Sequence, residues 1–263
     1  MCLNCGVSRI QTSGRRVTGV VTGDGEEIQA DFVLSNADPV ATCRDMVGID
    51  KVPAGFFRKL RSRRLAMSTM NVYMGINRSR EDLGIREHEI FVNRTLDLER
   101  QYRASTGLGD PEGMAITCYN AVFPEISPPG TTILVLTSPM MGEPWHGVAP
   151  EAYVETKNRI ADAMIRMAEQ VFPGVREYAE EVEVSTPLTN MRYAGTLGGS
   201  IYGFAQPAHD HTVLRIGHRG PLGGLYFVGA WTQPGGGFEP AMMSGEMAGE
   251  MVLRKWKKGR KGV

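Results

Sequence analysis

One stretch near the end of the chain, Gly224–Leu253, limits the folds open to it more than any other. Leu225–Val228 is an apolar run of buried-strand length that stops at Gly229. Three consecutive glycines, Gly235–Gly237, follow, where backbone can approach a neighbour or ligand with no Cβ in the way. Pro240 stands where a helix begins, its missing N–H costing nothing in a first turn. Beyond it, Ala241, Ser244, Gly245, Ala248 and Gly249 recur at spacings of three and four, a stripe that predicts close approach to a neighbouring element. Strand, glycine loop and helix start together offer N–H groups and a positive dipole end, suited to an anionic or large planar ligand. The same order occurs in α/β proteins where the loop is merely flexible, so spacing alone leaves both readings open.

Bulk properties narrow the class. The 263 residues suffice for one or two domains with a sizeable core. With 29 basic and 29 acidic side chains there is no charge excess to favour nucleic acid. Cysteines at 2, 5, 43 and 118 are too few for a secreted disulfide framework and point to a reducing compartment. No run approaches the roughly 20 apolar residues of a membrane span, and no signal-peptide pattern opens the chain, so a soluble cytoplasmic protein is expected. Cys2-x-x-Cys5 lacks a second pair or nearby histidines to complete a metal site, and His209-Asp210-His211 lacks a third ligand and reads as polar surface. No metal is expected. His88 and His146 have no partner in sequence, so no catalytic side chain is assigned.

Along the chain, Val7–Ile10 reads as a short strand, and Val17–Thr22 and Glu27–Leu34 flank Gly23-Asp24-Gly25, a hairpin signal. Ala30–Ser35 gives a buried strand that stops at Asn36-Ala37-Asp38-Pro39, with a helix over Pro39–Val47. Arg58–Arg64 reads as a solvated helix face. Ser68–Ile76, Met114–Val122 and Thr131–Thr137 suit strands of a second sheet. Glu151–Phe172 is the clearest helix, with Val154, Ala161, Met164, Ile165, Ala168, Val171 and Phe172 on one stripe and Pro173-Gly174 to end it. The last ten residues hold Arg254, Lys255, Lys257, Lys258, Arg260 and Lys261, read as a solvated helix end whose cations suit the negative dipole terminus, with contact to an anionic membrane surface as the alternative.

With these residues in view, the chain resembles the phytoene desaturase, carotenoid isomerase and retinol saturase family of FAD-dependent oxidoreductases. Gly6–Pro39, ending in the ADFVLSNADP strand, is similar to the family's strand, hairpin and strand. Val122–Pro139 resembles its proline-rich turn and following strand, Ser200–Gln206 a segment ahead of the close, and Gly224–Gly249 its closing flavin motif, the most specific of the four. The resemblance implies that Val7 contacts the adenine through its backbone. Gly229 and Ala230 would meet the phosphates and ribityl chain, although Ala230 lacks the acidic side chain often found there. Gly236, Gly237 and Phe238 would line the loop near the isoalloxazine, with Ala241 and Met242 at its pyrimidine end. The family's opening G-x-G-x-x-G does not occur after a strand near the N-terminus, so the chain reads as the C-terminal portion of such an enzyme.

The fold expected is α/β, α+β overall. Residues 1–50 and 207–263 would form a partial Rossmann-like FAD-binding domain without its first βαβ unit. Residues 51–206 would form a substrate domain with a mostly antiparallel sheet and helices. The resemblance implies oxidoreductase chemistry on C–C or C=C bonds of an apolar, isoprenoid substrate. It also implies an N-terminal half in trans, and contact with the membrane periphery is a further partner considered. The 15 methionines suit an apolar channel for a polyene, though ordinary core filling accounts for most of them. The alternatives are a non-catalytic binding or assembly protein derived from the substrate domain, or a truncated inactive product.

Overall fold

A computed structural model describes residues 1–207 and 215–260, so His209, His211 and Lys261 lie outside the described residues. The chain divides into two compact units: Met1–Ala66 with Gly195–Leu197 and Ile201–Val263, and Met67–Ala194 with Gly198–Ser200.

The first unit opens with β1 (Val7–Ser13) and β2 (Arg16–Thr22), an antiparallel pair, and β3 (Glu27–Gln29) lies on the far side of β2. The glycine-flanked turn forms where expected, with Gly25 at φ 93°. The run Glu27–Leu34 is not one strand, however. It breaks at Ala30–Phe32, and Val33–Ser35 becomes β4, which leaves β2 for another partner. Nor is that segment buried throughout, since Leu34 is 43% exposed. Asp38 then caps α1 (Pro39–Ala41), and the helical path widens into a π-helix over Thr42–Gly48 before a 3₁₀ turn at Ile49–Lys51. In α2 (Ala54–Arg61), Leu60 is buried and Phe56 and Phe57 pack on the core, while Arg58, Lys59 and Arg61 face solvent as the basic cluster predicted.

The second unit is built on one antiparallel sheet. Its elements are β5 (Ser68–Ile76), β6 (Glu89–Asn93), α3 (Leu98–Ser105), β7 (Gly113–Cys118), β8 (Thr132–Met140), α4 (Pro150–Val171), β9 (Ala179–Ser185) and α5 (Pro187–Ala194). The strands lie in the order β6-β7-β8-β5-β9. Alternation along β5 sends Met70, Val72, Met74 and Ile76 to one face, where Ile116, Leu134 and Leu136 join them beneath α4. The inward stripe of α4 differs from the expected one. Ile160, Ala161, Ala163, Met164, Met167 and Ala168 are buried, whereas Val154 is 56% exposed and Val171 is exposed too. Methionines 70, 74, 114, 140, 164 and 167 all serve as core filler here.

Returning to the first unit, β10 (Leu225–Phe227) pairs with β4, and α6 (Phe238–Arg260) follows it. The first unit extends to Ala66 and resumes at Ile201, where the expected limits were near 50 and 207. Two contacts explain this shift. Phe56 stacks on Phe227 at 6.3 Å between ring centroids, and Leu65 bridges to Phe204. Among the described residues no helix is long and apolar enough to cross a membrane.

Candidate functional site

The β4–β10 pair is parallel, in register Val33–Leu225, Leu34–Tyr226, Ser35–Phe227. Val33 N–H donates to the Gly224 carbonyl and Val228 N–H to that of Ser35, both at 2.9 Å. Both strands therefore end at one edge, where Asn36 and Gly229 emerge together. In open α/β sheets, ligands bind in the crevice outside such carboxyl ends. Gly229 has φ 81°, and a Cβ there would strike the Asn36 carboxamide, so this position accepts only glycine. On the β4 side, Asp38 is committed to structure. Its Oδ1 accepts from Val40 N–H (2.7 Å) and Ala41 N–H (3.3 Å), and its Oδ2 accepts from Leu197 N–H (3.0 Å). Burial pushes its carboxyl above the ordinary range despite those three bonds. Beside it, burial and the Asp38 charge push the Cys43 thiol up to about 12, which keeps it an inert core residue.

On the β10 side, a buried polar chain fixes the turn. Gly229 N–H donates to Ser244 Oγ (2.8 Å), and the Ser244 and Thr232 hydroxyls lie 2.9 Å apart. Thr232 Oγ1 is 3.4 Å from His218 Nδ1, which is itself 3.2 Å from the Phe227 carbonyl. A carbonyl can only accept, so the imidazole proton sits on Nδ1. From the other side, buried Arg215 donates to the carbonyls of Phe204 (2.8 Å), Ala230 (2.6 Å) and Thr232 (3.1 Å). The turn Gly229–Thr232 is thus tied to α6 by one hydroxyl and to the preceding segment by one guanidinium. Sequence reasoning missed this set. Ser244 was read only as a small residue, and Arg215 bonds backbone carbonyls, which leave no trace in a sequence.

The glycine loop has two causes. Gly235 and Gly237 sit at φ 138° and 118°, outside the ordinary range of other residues. At Gly236 a Cβ would collide with the Tyr202 ring, so that glycine makes room for a neighbour within the chain. The Ser200–Gln206 segment contributes further through Phe204, whose ring meets Trp231 edge-on at 5.0 Å. At the start of α6, Phe238 is 93% and Met242 71% exposed. The first intrahelical bond runs from Ala241 N–H to the Gly237 carbonyl, and Pro240 has no N–H. The N–H groups of Phe238 and Glu239 therefore have no acceptor inside the helix. The small-residue stripe works in part: Ser244 and Ala248 are fully buried, but a Cβ on Gly245 or Gly249 would meet nothing within 4 Å.

Of the positions singled out by sequence, Gly229 and Ala230 stand at the carboxyl edge of the parallel pair, and Gly236, Gly237, Phe238, Ala241 and Met242 run from the loop into α6. Val7 belongs to the three-stranded sheet instead, opposite Thr22. All four cysteines are free, and no group of metal-ligating side chains occurs among the described residues.

Residues 2–253 match the family described as flavin containing amine oxidoreductase. The chain belongs to that family. Among curated relatives, it is similar to a lycopene-forming phytoene desaturase of a Paracoccus species, with 26% identity over 96% of this chain and 50% of that protein. A chloroplastic prolycopene isomerase of an Oncidium hybrid cultivar is 26% identical over 94% of this chain and 41% of its own length. The chain thus spans about half the length of the curated relatives it matches or less. Among solved structures, an oxidoreductase from Methanosarcina mazei shares the fold with a TM-score of 0.60 at 16% identity, covering 93% of this chain and 48% of the other.

Family membership makes a flavin the implied cofactor, and the geometry suits part of one. Two N–H groups with no acceptor inside α6, at its positive end beside exposed Phe238 and Met242, fit a planar ring system with an electron-rich edge. A phosphate grip through Gly229 N–H does not fit, because Ser244 already holds that donor.

Proposed function

We propose that this chain supplies the flavin-ring side of an FAD-dependent oxidoreductase that acts on C–C or C=C bonds of an apolar, isoprenoid substrate. The single observation carrying the reading is the parallel β4–β10 edge leading through a glycine loop into the open start of α6. Phe238, Ala241 and Met242 would hold the ring and its pyrimidine end, with Gly236 and Gly237 close to it. Flavin, when bound, supplies the redox chemistry. The protein's share is position, exclusion of water and the dipole at the first turn of α6.

The substrate half of the proposal draws support from the sheet of the second unit. Its face away from α4 carries Glu183, Tyr73, Val135, Thr117 and Glu89 in one register row and Ser185, Asn71, Thr137, Ala115 and Phe91 in the next. Away from the two edge-strand glutamates, the aromatic and small side chains of this face suit a long planar apolar molecule. The names of the similar desaturase and isomerase point the same way. A dinucleotide-binding half in trans would provide the phosphate contacts that Gly229 N–H cannot.

The test is the flavin spectrum of the chain purified alone and after co-expression with the half of the Paracoccus relative that lies outside the match. Alone, the chain is expected to bind flavin only weakly, because Gly229 N–H is spent on Ser244. Co-expressed, it should retain FAD and give a yellow complex. A complex that forms yet stays colourless, or a soluble chain that binds no flavin in either setting, would sink the reading.

A further inference from the structure

At the other end of β10 lies a cavity of about 570 Å³ whose chemistry the flavin reading leaves unused. Its walls come from Arg219–Tyr226 and from the last turns of α6, where Met251, Arg254, Lys255 and Lys258 face it. Lys258 is twenty positions along the helix from Phe238, roughly 30 Å. Four cations thus surround one concavity, and among the described residues no aspartate or glutamate lines it. Arg254 pairs with Glu250 one turn back, at 2.7 Å. Lys255 has an aromatic neighbour, its Nζ standing 5.9 Å from the Phe32 ring centroid. Arg219 and Lys258 have no carboxylate partner among the described residues.

Cations at the end of α6 would suit its negative dipole terminus with no ligand present. That account does not extend to Arg219, which arrives from a separate segment held to β10 by a bridge with Tyr226. The floor matters as well. Leu222, Leu225 and Tyr226 are buried, so the charges sit over a low-dielectric wall that focuses their field. Backbone donors are mostly spent: Gly220 N–H on the Leu225 carbonyl, Gly223 N–H on that of Arg15, and Leu225 N–H on that of Leu222. Recognition must come from side chains, a guanidinium fork and two ammonium groups. That donor set matches the oxygens of a phosphate better than a single carboxylate.

We propose that this cavity binds a phosphate ester carrying two or more negative charges, held by Arg219, Lys255 and Lys258 and remote from the start of α6. The same headgroup chemistry occurs on a free diphosphate and on an anionic phospholipid, and the experiment separates them. Calorimetric titration of the whole chain with inorganic pyrophosphate tests the free ligand. Sedimentation with vesicles of equimolar phosphatidylcholine and phosphatidic acid, against phosphatidylcholine alone, tests the lipid.

The expected result is binding of at least one probe that weakens roughly fivefold per cavity charge removed, hence roughly 25-fold in Arg219→Gln with Lys258→Gln. A variant of equal net charge, Arg58→Gln with Lys59→Gln on α2, both exposed and neither lining the cavity, should lose far less. Arg58, Lys59, Arg219 and Lys258 are all exposed, and protection of Lys255 and Lys258 from acetylation by whichever probe binds, in the unmodified chain, provides a second readout. Binding by pyrophosphate with no vesicle preference assigns a soluble ligand. Vesicle binding that pyrophosphate displaces assigns a headgroup. The proposal falls if neither probe binds, if the two charge variants lose equally, or if the probe that binds protects neither lysine.

Discussion

The two units solve the same problem with different materials. In the second, a five-stranded antiparallel sheet pairs every interior strand with two others, and α4 seals one face, its Met164 joining Met70, Val72 and Leu136 in the core. In the first, the parallel sheet has only two three-residue strands, brought together from residues 33–35 and 225–227. Beside an apolar cluster that includes Leu225, Phe227 and Trp231, it is held by polar ties: Asp38 to three N–H groups, Ser244 to Gly229, Arg215 to three carbonyls. A sheet with a full apolar face tolerates loss of any single hydrogen bond, whereas a two-stranded pair depends on its buried ones. The unit with the weaker sheet is also the one that carries the open helix start.

The largest effect expected is therefore in the second unit. Leu136→Ala empties the centre of the sheet and should cost about 2–5 kcal/mol by denaturant unfolding. Hydrogen exchange should quicken in β5, β7 and β8 while leaving β1 and β2 as they were, and equal quickening in both units would erase the contrast.

Next comes Asp38→Ala, which removes a helix cap and strands a partly buried donor at Leu197, for about 1–3 kcal/mol in all. Its pH dependence has a definite sign. Burial raises the native pKa above the ordinary 3.8, so the native state holds this proton more tightly than the unfolded state. Unfolding releases it as pH rises from 3.8 through the raised native value, and stability falls across that window and is flat above it. The stability difference between wild type and Asp38→Ala should narrow over that range. A difference that widens with pH would show that Asp38 is held as a favoured carboxylate.

The smallest effect on folding is expected at Phe238→Ser. This side chain is almost fully exposed, so unfolding should shift by no more than about 0.5 kcal/mol. Riboflavin binding, by contrast, should weaken at least several-fold. Unchanged flavin affinity would detach the start of α6 from the proposed site.

Legibility followed the same divide. Ser68–Ile76 appears as β5 residue for residue, and α4 begins and ends one residue before its expected limits, because each buries a continuous periodic face. The elements missed are short or polar: β6, EIFVN, is apolar but only five residues long. In β9, AEEVEVS puts three glutamates on an edge strand, and α3, LERQYRAS, has a weak apolar stripe and relies on the Asp97 cap. The break between β3 and β4 was invisible because Ala30-Asp31-Phe32 continues the apolar run while the backbone changes partner. At the candidate site the glycines were legible, but their causes were mixed: Gly229 yields to Asn36 and Gly236 to Tyr202. The roles of Ser244, Arg215 and Thr232 depend on tertiary neighbours that no local pattern encodes.

The hydrogen bond from Gly229 to Ser244 has a spectroscopic consequence. An amide in a tight turn ordinarily exchanges with solvent almost freely, but this one reaches water only when α6 lifts from β10. Glycine amides fall in an uncrowded part of a nitrogen–proton spectrum. A single isotope-labelled glycine signal, followed in heavy water, would therefore time the opening of the helix on which the proposed flavin site depends.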